Sequence, residues 1–89
     1  MALRILSSPS APQDLAAEIR RAIEGALPEA QVEVVPGSPG HFAIRVVCAA
    51  FAGLSRVRQQ QQVYAAIAHL MQGDAAPVHA VDRLQTECG

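Results

Sequence analysis

The sequence predicts one small α/β domain of the α+β kind, in the order helix, strand, strand, helix, strand. Apolar residues recur at helical spacing over about 12–27 and again beyond Ser55. They alternate with a period of two over His41–Ala49. Proline and glycine fall between these stretches, at Pro28, Pro36–Gly40, Gly73 and Pro77. A chain of 89 residues holds a single core, and with 51% apolar residues it can fill one. Phe42, Phe51 and Tyr64 are the only aromatics, so that core is mostly Ala, Val, Ile and Leu.

The first helix is expected over Pro12–Leu27. Leu15, Ile19, Ala22, Ile23 and Ala26 form its stripe, and Ser10 or Asp14 is its candidate cap. Residues 1–11 read as a flexible lead-in and 12–89 as the domain. Gln31–Val35 is a short β-branched strand. The loop Pro36–Gly40 joins it to His41–Ala49 as an antiparallel hairpin, with Phe42, Ile44, Val46 and Cys48 on one face and Ala43, Arg45 and Val47 on the other. The second long helix is expected from its cap Ser55 to about Gln72, with Val57, Tyr64, Ile67 and Met71 on its apolar side, joined by Val63 and Leu70. Arg58–Gln62 interrupts that stripe and predicts a bend near Gln60 that divides the helix. A last strand is expected over Val78–Gln85.

The net charge is −1 and all seven basic residues are arginine. Nucleic-acid binders gain most of their affinity from neutralising phosphates, so the absence of a basic excess weighs against strong binding. Cys48 and Cys88 have neither a disulfide nor a zinc-site spacing, and fit a buried thiol and an exposed one in a reducing compartment. The apolar stretch at the start is too short for a secretory leader, and no run is long enough to span a membrane. Composition thus leads to the expectation of a cytoplasmic protein.

A strand–helix–strand crossover within one sheet makes its two strands parallel. They then begin at the same end, which brings His41 and His79 together there. Imidazoles offer nitrogen lone pairs to metals. Two are too few for a closed structural site but can be half of one completed by a partner. On the pattern alone, packing or hydrogen bonding at the strand starts is the commoner role. His69 falls among polar helix positions. No GxSxG, HExxH, Walker A or GxGxxG motif is present. Gly37–Gly40 matches the GxxG clamp of KH modules but lies between strands rather than helices. Arg56 and Arg58 could meet phosphate or simply face solvent.

Four segments in order carry a resemblance: Gly40-His41-Phe42, then Phe51-Ala52-Gly53-Leu54-Ser55-Arg56-Val57, Gln60-Gln61-Gln62-Val63-Tyr64, and Val78-His79-Ala80-Val81. Over about Leu15–Val81 the chain resembles the BolA family, and within it the IbaG-like branch. The resemblance implies a KH-like α-β-β-α-α-β fold, with a three-stranded mixed sheet covered by helices on one side. It implies a non-enzymatic adaptor that binds a monothiol glutaredoxin and shares with it and glutathione a bridging [2Fe-2S] cluster, in iron–sulfur trafficking or iron and stress regulation. His79 matches the family's C-terminal ligand, and His41 is the candidate for the second. No cofactor is implied for the isolated protein, which is expected as a monomer or weak dimer. The alternative implied function is a DNA-binding transcription regulator that uses the helix-turn-helix-like region from Ser55, with Arg56 and Arg58. Two departures stand out. Gln59-Gln60-Gln61 replaces the Arg-His-Arg run of many members, and Arg83 occupies a commonly apolar position, from which a short or frayed last strand is expected.

Overall fold

A computed structural model describes residues 12–73 and 76–89. The expected lead-in and the candidate cap Ser10 lie outside the described residues. The elements are α1 (Pro12–Ala26), β1 (Gln31–Pro36), β2 (His41–Val47), a 3-10 turn (Ala49–Phe51), α2 (Arg56–Met71) and β3 (Ala80–Glu87). The 3-10 turn occupies the place of the first middle helix in the α-β-β-α-α-β order.

The sheet order is β1-β2-β3, with β1 antiparallel and β3 parallel to β2. Strand alternation sends Phe42, Ile44 and Val46 into the core, all at most 2% exposed. Leu15, Ile19 and Ile23 of α1 meet them, with Val63, Ile67 and Leu70 of α2 and Phe51 of the turn. Both helices therefore cover one face. The opposite face is left to residues such as Arg45, whose guanidinium donates to the Glu87 carboxylate across β2 and β3 at 3.3 and 3.4 Å.

Several expectations are corrected by the packing. Helix α2 is one continuous element, not divided near Gln60 as expected. The glutamines suit the helix because their amides satisfy nearby carbonyls. Gln59 Nε2 donates to the carbonyls of Leu54 at 3.0 Å and Phe51 at 3.4 Å, and Gln60 Nε2 makes a longer bond to Leu84. The helix buries only the narrow seam Val63, Ile67 and Leu70. Val57 and Tyr64, expected on the apolar side, are 63% and 39% exposed. In α1, Ala26 is exposed and Leu27 ends the buried stripe instead. Strand β2 stops at Val47, because Cys48 leads into the 3-10 turn.

The last strand is neither short nor frayed at Arg83. It starts and ends two residues later than expected and runs for eight residues. The pairing register explains how it accommodates the arginine. Phe42 pairs with Val81, but Ala43 pairs with Arg83, so Asp82 is the extra residue of a bulge. Without the bulge, strict alternation would turn Arg83 toward the core. With it, Arg83 joins the open face, and Leu84 and Thr86 resume the core-facing phase.

Candidate functional site

The parallel pairing brings the two histidines to one end of the sheet. His41 opens β2 opposite Ala80, and His79 immediately precedes β3. The Gly37–Gly40 loop joins them. Within the hairpin, Gly37 N–H donates to the His41 carbonyl at 2.9 Å, and His41 N–H to that of Ser38 at 2.8 Å. The Gly40 carbonyl then accepts from both His79 N–H, at 2.8 Å, and Ala80 N–H, at 3.1 Å. One loop carbonyl thus fastens the start of β3 to the start of β2.

Gly40 is required here for two separate reasons. Its φ of +79° lies in the left-handed region that side chains disfavour. A Cβ at this position would also lie 2.7 Å from both Cγ and Nδ1 of His79. The His79 ring therefore rests over the bare backbone of Gly40, next in the chain to His41. His79 remains exposed, while Val78 beside it is buried and its N–H donates to the Leu70 carbonyl.

The His41 ring is held from the other strand. Its Nδ1 lies 2.9 Å from Asp82 Oδ1, with 37% of the His41 side chain and 56% of the Asp82 side chain exposed. A carboxylate only accepts hydrogen bonds, so Nδ1–H is the donor in this pair. In the neutral ring, the lone pair is then on the other nitrogen, Nε2. Asp82 escaped the sequence reading because nothing in the pattern singles out one carboxylate and a bulge leaves no local signature. The only available hint was the phase conflict at Arg83.

Neither cysteine belongs to this end. Cys48 is buried beyond the far end of β2, and Cys88 is exposed beyond the far end of β3. Among the described residues no three His, Cys, Asp or Glu side chains group as a metal cage. The donor set at the histidine end is therefore imidazole nitrogen, in a number that leaves a metal group's remaining positions to other molecules. Two imidazoles are too few for a closed site among the described residues and can be part of one completed by other molecules.

Arg56 and Arg58 lie at the opposite end. Helix α2 returns against the strands, so its first turn stands where β2 and β3 finish. Ser55 caps it, its Oγ accepting from Arg58 N–H at 3.2 Å. Both arginines are exposed and neither forms an ion pair among the described residues. His69 is exposed on α2. The GxxG segment is the hairpin loop, so it does not stand between helices as a KH clamp does.

Solved structures share this architecture. The solution structure of BolA1 from Mus musculus superposes with a TM-score of 0.67 at 27% identity, covering 98% of this chain and 75% of that one. A bolA protein homologue from Coxiella burnetii gives 0.60 at 27% identity, covering 88% and 91%. BolA1 from Arabidopsis thaliana gives 0.64 at 18% identity, covering 82% and 90%, and speaks for the fold alone. No curated protein matches the chain. The family model for BolA-like proteins matches residues 19–87. That span takes in α1 from Ile19, the whole sheet and both ends just described, and it identifies the family without singling out a branch within it. On this match, the chain belongs to the BolA-like family.

Proposed function

We propose that this protein is a non-enzymatic adaptor that pairs with a monothiol glutaredoxin and supplies imidazole ligands to a shared [2Fe-2S] cluster. One observation carries the reading. Two histidines, His79 and His41, stand at the same end of paired strands, and among the described residues no cysteine joins them and no three candidate ligands group there as a cage. Such a cluster takes four protein or thiol ligands. The glutaredoxin cysteine and a glutathione thiol would supply two, with His79 and His41 completing the set. Imidazole in place of thiolate raises a cluster's potential, which suits transfer or sensing better than storage.

This chain's own contribution is placement. Gly40 admits the His79 ring against the loop, and the shared Gly40 carbonyl fixes the backbone of both strand starts. The test is anaerobic reconstitution with a monothiol glutaredoxin and glutathione, followed by absorption and circular-dichroism spectra. The mixed complex is expected to differ from the glutaredoxin homodimer, and His79→Ala to abolish that difference while association without the cluster survives. A spectrum indifferent to His79 contradicts the ligand assignment.

A second reading is favoured by Arg56 and Arg58, exposed and without an ion pair among the described residues, in the first turn of α2, which carries no acidic residue. There the protein would bind DNA phosphates and act as a transcription regulator. Electrophoretic retention of a duplex that weakens steeply with salt, and is lost in the double arginine-to-alanine variant, supports that reading. Salt-insensitive absence of retention removes it.

A further inference from the structure

The bulge at Asp82 does more than keep Arg83 out of the core. It brings the Asp82 carboxylate to the edge of the histidine end, where Oδ1 sits 2.9 Å from His41 Nδ1. Register places Asp82 two residues past Ala80, the partner of His41, and so further along the sheet than His41 itself. The hydrogen bond draws Nδ1 inward along the strands. The two nitrogens stand on opposite sides of the imidazole ring, so this bond leaves Nε2 facing away from Asp82. A neutral histidine in water mostly carries its proton on Nε2, which would leave the wrong nitrogen protonated for ligation at this end. A carboxylate bound to Nδ1–H reverses that preference. The same pairing of carboxylate and histidine recurs behind metal-bound imidazoles.

We propose that Asp82 is the positioning residue for His41, holding its proton on Nδ1 and presenting Nε2 as a metal ligand. This rests on the adaptor reading for its metal, but not for its tautomer. Asp82 acts through His41, the side chain it contacts. Its departure from a regular strand and the pairing with His41 share one cause, the extra residue in β3.

The experiment has two arms. The first uses the isolated protein at about pH 8, above the ordinary imidazole range, and reads the ring nitrogens by long-range nitrogen–proton correlation spectra. His41 is expected in the Nδ1–H form in the wild type and to switch to predominantly Nε2–H in Asp82→Ala. Asp82→Leu, which keeps the side chain's bulk but accepts no hydrogen bond, is expected to do the same, with exposed His69 unchanged in both variants. An Nε2–H ring in the wild type, or an Nδ1–H ring that persists in both variants, overturns the proposal.

The second arm uses the glutaredoxin complex reconstituted with iron and sulfide. Cluster loss is expected to be about 10-fold faster in Asp82→Leu, the low end of the range for removing such a supporting carboxylate, and in the same direction as His41→Ala. If His41→Ala destabilises the cluster but Asp82→Leu does not, the positioning role is wrong. If the wild type takes up no shared cluster, the adaptor reading fails, and the metal roles of His41 and Asp82 fail with it. The tautomer arm tells these failures apart.

Discussion

The two ends of the sheet treat their functional side chains in opposite ways. At the histidine end the chain holds what it presents. One glycine carbonyl accepts from two strand-start amides, Gly40 leaves room for the His79 ring, and Asp82 fixes His41. At the arginine end only the backbone is secured, through the Ser55 cap and the Gln59 amide. Arg56 and Arg58 extend into solvent without ion pairs among the described residues. The difference matches the demands of two chemistries. A metal needs lone pairs at set positions, whereas a phosphate backbone tolerates mobile charges. The constrained end is therefore the stronger basis for a function.

The contrast can be tested by substitutions, taken from the largest expected effect to the smallest. Phe42→Ala empties a position that is 1% exposed and adjoins His41. It is expected to cost about 3–5 kcal/mol in urea unfolding, as large-to-small core changes do. A loss below about 1 kcal/mol would mean that the sheet is not packed as described. Gly40→Ala meets both the positive φ and the His79 ring. It should cost about 1–3 kcal/mol, and nitrogen–proton spectra should show His79 shifted. A neutral effect on both would remove Gly40 from the site.

Ser55→Ala removes one cap hydrogen bond, and is expected to cost about 1 kcal/mol. Because the cap lies at the far end, His41 and His79 resonances should not move; if they do, the ends are coupled. The double Arg56→Ala, Arg58→Ala variant breaks no ion pair among the described residues and should change stability by less than about 0.5 kcal/mol. A larger loss would show that these arginines hold structure after all.

The sequence made the sheet and its cover legible because burial there is periodic. Phe42, Ile44 and Val46 alternate over one face, and Leu15, Ile19 and Ile23 recur by helical turns, so the elements could be placed from spacing, and their order makes the crossover strands parallel once they share a sheet. The approach of His41 to His79 followed from that topology. What stayed hidden depends on contacts between distant segments. The glutamine run was expected to bend α2, but its amides find carbonyl partners at Phe51, Leu54 and Leu84. Val57 and Tyr64 fit an apolar stripe, yet α2 buries only the neighbouring seam of Val63, Ile67 and Leu70. Arg83 looked like a strand breaker because a bulge shifts phase without a residue type that announces it. Asp82 and the double role of Gly40 were hidden for the same reason, since both are defined by a residue some 40 positions away.

The most direct measurement is pulsed electron paramagnetic resonance on the reduced cluster of the proposed glutaredoxin complex, which detects nitrogen nuclei bonded to iron. The account predicts hyperfine couplings of imidazole nitrogen in the wild type, with the strongest lost in His79→Ala. A wild-type cluster without imidazole nitrogen couplings, its iron held by sulfur alone, would contradict it.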